Sequence, residues 1–418
     1  MTSNSQRRVV ITGLGAISNL GHDVNSTWSG LLEGRSGVGP ITAFEQDDRW
    51  PSRIAGEVHD WNPADKLDNS EIKKTDRFAQ LGLWAAIEAM EHSGLDWEQG
   101  DAYRRGVVIG SGVGGIQTIE HFSGVLKEKG PRRLSPFTVP KLMVNAVAGN
   151  VSIRFNLRGV NSAPATACAT GGHSLAEAYM FIAMNQADFI LAGGAEGAVS
   201  PVCVSSFSAM KALSTRNDEP TLASRPFDRD RDGFVLAEGA AVLAVEELEH
   251  AKARGASILA EIVGFGITGD AVHIAAPDAE GTGAKAAMTA ALRHANINTD
   301  QVDYINAHGT STPLGDAAEV HAVKTLFGDH AYSLAMSSTK SCTGHTLGAA
   351  GGIESIAVVK AISDGVMPPT INLDNPDDGF DLNFVANTPQ EREIKVALNN
   401  SFGFGGHNVS LALAKFEG

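Results

Sequence analysis

Apolar and polar positions along this chain follow one pattern twice. Residues 7–18, RRVVITGLGAIS, form a β-rich run that reaches Gly13-Leu14-Gly15, and residues 259–269, LAEIVGFGITG, return to it with Gly264-Phe265-Gly266. After the first run comes FAQLGLWAAIEAMEHSGL, with apolar residues at helical spacing, then RRGVVIGSGVGG, a buried-strand pattern entering a glycine turn. After the second comes GAKAAMTAALRHANI, again helical, then VDYINAHGTST, a strand entering a polar turn. A third echo links TACATGGHSLAEAYMFI to KSCTGHTLGAAGGIESIAVVK; in each, a turn of small polar residues opens a helix. This period is far too long for a solenoid. The pattern predicts α/β layers with buried sheets, built as two similar halves, 1–255 and 256–418. Packed face to face, such halves bring both polar turns into one central site. The joining segment, RPFDRDRDGFVLAEGAAVLAVEELEHAKARGA, has no Pro/Gly/Ser-rich hinge, so the expectation is one compact unit.

Composition narrows the function classes. The 418 residues carry 33 basic and 48 acidic side chains, a net charge of −15, which does not suit nucleic acid. Gly accounts for 46 positions, an excess that implies tight turns and close backbone approaches. Three widely spaced Cys make no disulfide framework, and no Cys/His spacing reads as a zinc site. No apolar run is long enough to span a bilayer, and MTSNSQRR lacks a signal-peptide apolar region. A cytoplasmic protein with no membrane role is the expectation.

The chemistry centres on Cys168. It sits among residues no larger than Thr, where Leu175, Ala178, Tyr179 and Ile182 begin a helical repeat. At a helix start, exposed amides and the dipole favour a thiolate. A free Cys is otherwise a small buried hydrophobe, and that reading is kept for Cys203 and Cys342. Cys168 needs partners, and two turns of the second half offer them. NAHGTSTPLGD holds His308, and SSTKSCTGHTLGAAGG holds Lys340 and His345. Their small neighbours leave room for a ligand and bring backbone amides close.

Together TACATGG, NAHGTSTPLGD, SSTKSCTGHTLGAAGG and NNSFGFGGHN resemble the β-ketoacyl-acyl carrier protein synthases, most closely the bacterial synthase II type. The likeness runs from about residue 7 to 415 and includes ALSTRNDEPTLASRPFDRDRDGFVLAEGA. It implies a thiolase-like five-layer α-β-α-β-α fold, usually a homodimer, that extends an acyl chain by condensation with malonyl-carrier protein. On this resemblance Cys168 is the acyl acceptor and His308 and His345 are the catalytic histidines. Lys340, paired with Glu354, orders the site; Thr310 and Thr312 hold the phosphopantetheine arm; Phe404 is a gate beside the nucleophile. Val113, Phe207 and Phe402 are expected along the substrate. No metal or redox cofactor is implied.

The chemistry asks for such a set. A thiolate carries the acyl group. Two neutral imidazoles donate to the malonyl thioester oxygen, and the amides of Cys168 and Phe404 form an oxyanion hole. The second His separates this pattern from the Cys-His-Asn branch. A thiolase would use a second Cys as base, and Cys342 stands near that region, but GHTLGAAGG fits the synthase. A polyketide ketosynthase shares the chemistry; a non-catalytic chain-length factor lacks the nucleophile. Two departures, Ala169 after the nucleophile and His407 in GGHN, are expected beside the pocket and bear on the acyl substrate.

Acyl carrier proteins are acidic, as is this chain, so docking calls for a local basic patch. Lys73, Lys74 and Arg77 cluster in EIKKTDRF, Lys127, Lys129, Arg132 and Arg133 in KEKGPRRL, and Lys211 stands in SAMKAL.

Overall fold

Residues 7–418 are described by a computed structural model; the first six residues of MTSNSQRR lie outside the described residues. The first half supplies five strands of the ten-stranded sheet: β1 (Val9–Ser18), β2 (Arg105–Gly110), β3 (Asn161–Ser162), β4 (Phe189–Glu196) and β5 (Gly239–Glu247). The second supplies β6 (Ala260–Gly269), β7 (Tyr304–Asn306), β8 (Ala335–Ser337), β9 (Val396–Gly403) and β10 (His407–Ala414). They hydrogen-bond in the order β8-β7-β9-β10-β6-β1-β5-β4-β2-β3. Outward from the centre, the halves read 1-5-4-2-3 and 6-10-9-7-8, the same order shifted by five. Strand directions repeat as well: two antiparallel pairs, then two parallel ones. The strands of the two halves pair where Val9, Val10 and Ile11 face Ile262, Glu261 and Ala260.

Helices fill three further layers. Arg77–Ser93 and Ala146–Arg154 cover the first sheet, and Thr282–Ala295 and Pro313–Phe327 cover the second. Thr170–Ala183 and Ala350–Asp364 lie between the sheets, packed on residues of both halves such as Ile190, Leu243, Val409 and Leu411. This is the expected α-β-α-β-α layering. The supposed linker holds a central strand instead: in β5, GAAVLAVEE, Leu243 and Val245 face the inner helices while Val242 and Ala244 face the outer ones.

The echoed Gly-x-Gly has a packing cause. A Cβ at Gly15 would lie 2.0 Å from the Ala85 carbonyl oxygen, and one at Gly266 2.0 Å from that of Ala287. Each outer helix therefore rests directly on its strand, which a side chain would forbid.

Candidate active site

Cys168 and its counterpart in the second half occupy matching turns. Cys168 lies in a 3-10 turn, Ala167–Ala169, that leads into the Thr170–Ala183 helix. Its pseudo-equivalent, Leu347–Ala349, leads into Ala350–Asp364. Each turn opens on a non-glycine residue in the left-handed region, Ala167 at φ 50° and Leu347 at φ 46°. Such conformations persist only where surroundings hold them, and they cluster at functional sites. Here the Thr170 hydroxyl does the holding, donating to the Ala167 carbonyl at 2.8 Å and accepting from the Thr166 amide at 2.9 Å.

His308 follows β7 in a loop braced from below by two buried carboxylates of the Pro313–Phe327 helix. Glu319 accepts from the amides of His308 (2.9 Å) and Gly309 (2.8 Å) and from Asn400 Nδ2 (3.2 Å). Asp316 accepts from the amides of Ser311 (3.2 Å) and Phe227 (2.9 Å). Burial raises both carboxyls, Glu319 to about 7 and Asp316 to about 6. His345 is pinned through its backbone, its amide donating to Val235 O at 2.7 Å.

The two imidazoles stand edge to face, 5.4 Å between centroids. Cys168 Sγ and one nitrogen from each ring lie within 4.8 Å of one another. Burial, followed by the positive charge of Lys340, holds both rings well below the usual histidine range, so both are neutral. His308 Nδ1 and both nitrogens of His345 have no hydrogen-bond partner among the described residues. Lys340 is buried and ion-paired with Glu354, as the sequence reading expects. Its charge adds to burial in keeping both histidines neutral.

The thiol itself departs from expectation. Cys168 is 5% exposed, and burial pushes its thiol up to about 11. The Phe404 amide, the charge of Lys340 and the amide of Cys168 pull the other way and lose. The helix start thus supplies a buried thiol rather than a resting thiolate. Alkylation of the free enzyme at Cys168 is therefore expected to rise about tenfold per pH unit from pH 7 to 9 without a plateau. Iodoacetamide kinetics read by peptide mass check this; a plateau near pH 7 would show a thiolate. The amides of Phe404 and Cys168 face the sulfur, with Gly403 allowing the approach: a Cβ there would lie 2.9 Å from Thr166 O and 3.1 Å from the Cys168 amide.

These groups open onto a cavity of about 500 Å³, lined also by Thr310, Thr312, Phe402 and Phe404, with Lys211 and the exposed Leu314 on its walls. The Thr310 and Thr312 hydroxyls are 3.0 Å apart. Val113 and Phe207 do not line this cavity. They belong to the apolar cluster that contains Cys168, Phe234 and Leu347, with Phe207 ring centroids 5.4 Å from Phe234 and 6.3 Å from Phe404. The turn carrying Val113 is fixed by buried Glu196, which accepts from Ser111 Oγ (2.7 Å) and the amides of Gly112, Val113 and Gly348.

Tertiary structure separates residues that look alike in the sequence. Arg77 is no docking residue, because its guanidinium is ion-paired with buried Glu238 at 2.5 Å and bonded to Val58 O. Lys73, Lys74, Lys127, Lys129, Arg132 and Arg133 are exposed but line no part of the cavity; Lys211 alone of the basic set does. Lys74 lies over the Phe137 ring, which ties its helix to the 116–143 face. Ala169 is fully buried next to Cys168, and His407 packs against Gly405 and the His173 ring between Gly406 and Asn408, which line the cavity. Cys342 is fully buried away from the cavity, its thiol raised to about 12, and cannot serve as a thiolase-like base.

Glu319, Asp316, Asn400 and Glu196 were not singled out in the sequence. The only hint lay in DAAE, whose acids at i and i+3 share one helix face directly after a candidate catalytic loop.

Comparison with known proteins agrees with this geometry. The family model "Beta-ketoacyl synthase, N-terminal domain" matches residues 6–251, and "Beta-ketoacyl synthase, C-terminal domain" matches 259–374. The chain is 53% identical over 410 residues to a 3-oxoacyl-[acyl-carrier-protein] synthase 2 of Coxiella burnetii, covering 98% of this chain and 99% of that protein. It is 50% identical over 412 residues to the Vibrio harveyi protein of the same name, with 98% and 99% covered. A solved β-ketoacyl synthase from Burkholderia phymatum superposes with a TM-score of 0.91 at 35% identity, covering 98% of this chain and all of that one. A type II polyketide ketosynthase, solved with its acyl-carrier protein, also reaches 0.91, at 32% identity, covering 99% and 100%.

Proposed function

This chain belongs to the β-ketoacyl synthase family, and we propose that it is an elongating 3-oxoacyl-[acyl-carrier-protein] synthase of fatty acid synthesis. The observation that carries this reading is the meeting of Cys168 Sγ with a nitrogen of His308 and of His345 within 4.8 Å. The identities of 53% and 50% to synthase 2 proteins, against 32% to the polyketide ketosynthase, favour the fatty acid pathway.

The reaction has two halves. In the first, Cys168 sulfur attacks the acyl thioester, and the amides of Cys168 and Phe404 stabilise the tetrahedral oxyanion. The carrier's sulfur leaves and takes up the proton that Cys168 gave. In the second, malonyl-carrier protein places its thioester oxygen between the His308 and His345 N–H donors. Carbon dioxide departs, and the two neutral imidazoles stabilise the enolate. The enolate carbon attacks the Cys168 thioester, and the expelled sulfur takes a proton. The product is longer by two carbons. These steps need a thiol, two imidazole donors and two amides, and no metal or redox cofactor.

Thr310 and Thr312 hold the phosphopantetheine arm in the cavity, and exposed Lys211 on its wall meets the acidic carrier protein. The remaining exposed basic residues steer the carrier from farther away. The enzyme works in the cytoplasm as a homodimer. Supporting the dimer are the edge position of β3 and the exposed Ile119, Leu126, Phe137, Val139 and Met143 between residues 116 and 143.

Phe404 gates the site. It is half-buried beside the sulfur and is followed by Gly405 and Gly406, both at positive φ. Phe404→Ala is expected to change the relative rates of acylation and malonyl condensation. Its stability loss should fall below the roughly 3–5 kcal/mol of a fully buried Phe. Unfolding and single-turnover acylation on the same variant check this; a large stability loss with unchanged relative rates would mark a packing residue.

The decisive test of the overall reading is product mass from malonyl-carrier protein with a panel of acyl-carrier proteins. Products two carbons longer are expected. Acyl transfer to Cys168 without any malonyl-dependent extension would overturn it.

A further inference from the structure

Cys168, His308 and His345 also make a ligand set of a second kind. A thiol sulfur and two imidazole nitrogens, all buried and within 4.8 Å of one another, are the atoms that a soft divalent cation prefers. Zinc–sulfur and zinc–nitrogen bonds of about 2.3 and 2.0–2.1 Å in a tetrahedron set ligand atoms roughly 3.3–3.6 Å apart. Small side-chain rotations close the remaining gap. His308 Nδ1 and both nitrogens of His345 have no hydrogen-bond partner among the described residues. The fourth position would face the cavity, open to water.

We propose that the resting active site captures Zn2+ on Cys168, His308 and His345, and that the bound cation inhibits the enzyme. The inference rests on reading Cys168 as the acyl acceptor. On binding, the Cys168 S–H bond breaks, a sulfur–zinc bond forms, and the proton goes to solvent. The lone pair that would attack the acyl thioester is then engaged, and both imidazole donors are turned to the metal. Acylation and metal binding exclude each other, since a thioester sulfur has no thiolate to give.

The surroundings mark this as an inhibitory site rather than a resident cofactor site. Zinc-binding histidines almost always donate their other N–H to a carboxylate or carbonyl, and that support raises affinity. Here it is missing: Glu319 spends its oxygens on the amides of His308 and Gly309 and on Asn400. The Lys340 ammonium lies close enough to act on both rings, and only its pairing with Glu354 offsets that charge. Capture is therefore reversible.

The test uses full-length enzyme freed of metal by a chelator. At a zinc concentration 100 times its Kd, alkylation of Cys168 by iodoacetamide should slow about 100-fold. Peptide mass reads Cys168 separately from Cys203 and Cys342, whose alkylation should not change. Cobalt(II), as a coloured stand-in, should give a thiolate charge-transfer band that is lost in Cys168→Ser and after pre-acylation. His345→Gln should weaken metal binding by more than the roughly 10–100-fold of an outer-shell change. Unprotected Cys168 at millimolar zinc, or a cobalt band that persists in Cys168→Ser, overturns the proposal. Condensation measured in chelator keeps the two readings apart. A metal-free enzyme that condenses but gains no zinc protection removes only the metal site. One that fails to condense yet is protected keeps the metal site and removes the synthase reading.

Discussion

Cys168→Ala is expected to yield no acyl-enzyme and no condensation product, with the fold intact. The sulfur is the single atom in the cavity placed to accept an acyl group, 4.8 Å or less from both histidine nitrogens and facing the amides of Cys168 and Phe404. The other thiols cannot substitute. Cys203 is buried in the apolar cluster and Cys342 is fully buried, and neither lines the cavity. The lost packing amounts to about 1 kcal/mol, the scale of one buried methylene-sized group. Radiolabelled acyl transfer, read on protein with an unchanged melting curve, is the measurement. Persistent labelling of the variant would place the nucleophile elsewhere.

His308→Ala and His345→Ala are each expected to lower condensation about 10²–10³-fold, the scale for loss of one oxyanion donor, while some acylation of Cys168 survives. The two effects separate because the imidazoles serve the malonyl half-reaction, whereas acylation relies on the amides of Cys168 and Phe404. Protonation sets the pH signature. Burial and Lys340 hold both rings well below 6.5, so each imidazole is neutral above that lowered value and becomes imidazolium only as pH falls through it. From pH 6 to 8 neither donor changes state, and decarboxylation of malonyl-carrier protein should show no break from these rings. Rapid-quench measurement of acylation and decarboxylation, run separately, checks both points. A variant that condenses at the normal rate would make that histidine structural.

The repeat shows how far one chain of letters can be read. Two β-rich runs with Gly-x-Gly, each followed by an amphipathic helix, predicted two like halves, and the strand orders 1-5-4-2-3 and 6-10-9-7-8 realise them. Such patterns are legible because burial on one or both faces is a local property of spacing. The same holds for the three small-residue turns: each carries its candidate side chain within a few residues, so Cys168, His308 and His345 could be named before their distances were known.

What the sequence could not decide depends on groups far apart in the chain. The β5 strand was hidden in an apparent linker, because a strand buried on both faces shows no alternation. The Cys168 thiol near 11 reverses the thiolate expected at a helix start, since desolvation by the surrounding layers outweighs local amides and the Lys340 charge. Glu319 and Glu196 became visible only once folded, when they met the amides of the His308 loop and of the Val113 turn. The basic residues looked alike in sequence; only tertiary structure turned Arg77 inward to Glu238 and left Lys211 on the cavity wall. Local spacing determined the two halves and singled out Cys168, His308 and His345 as candidates. Long-range burial decided their protonation, their support and the path by which a substrate reaches them, because desolvation and shared hydrogen bonds depend on every layer packed around the site.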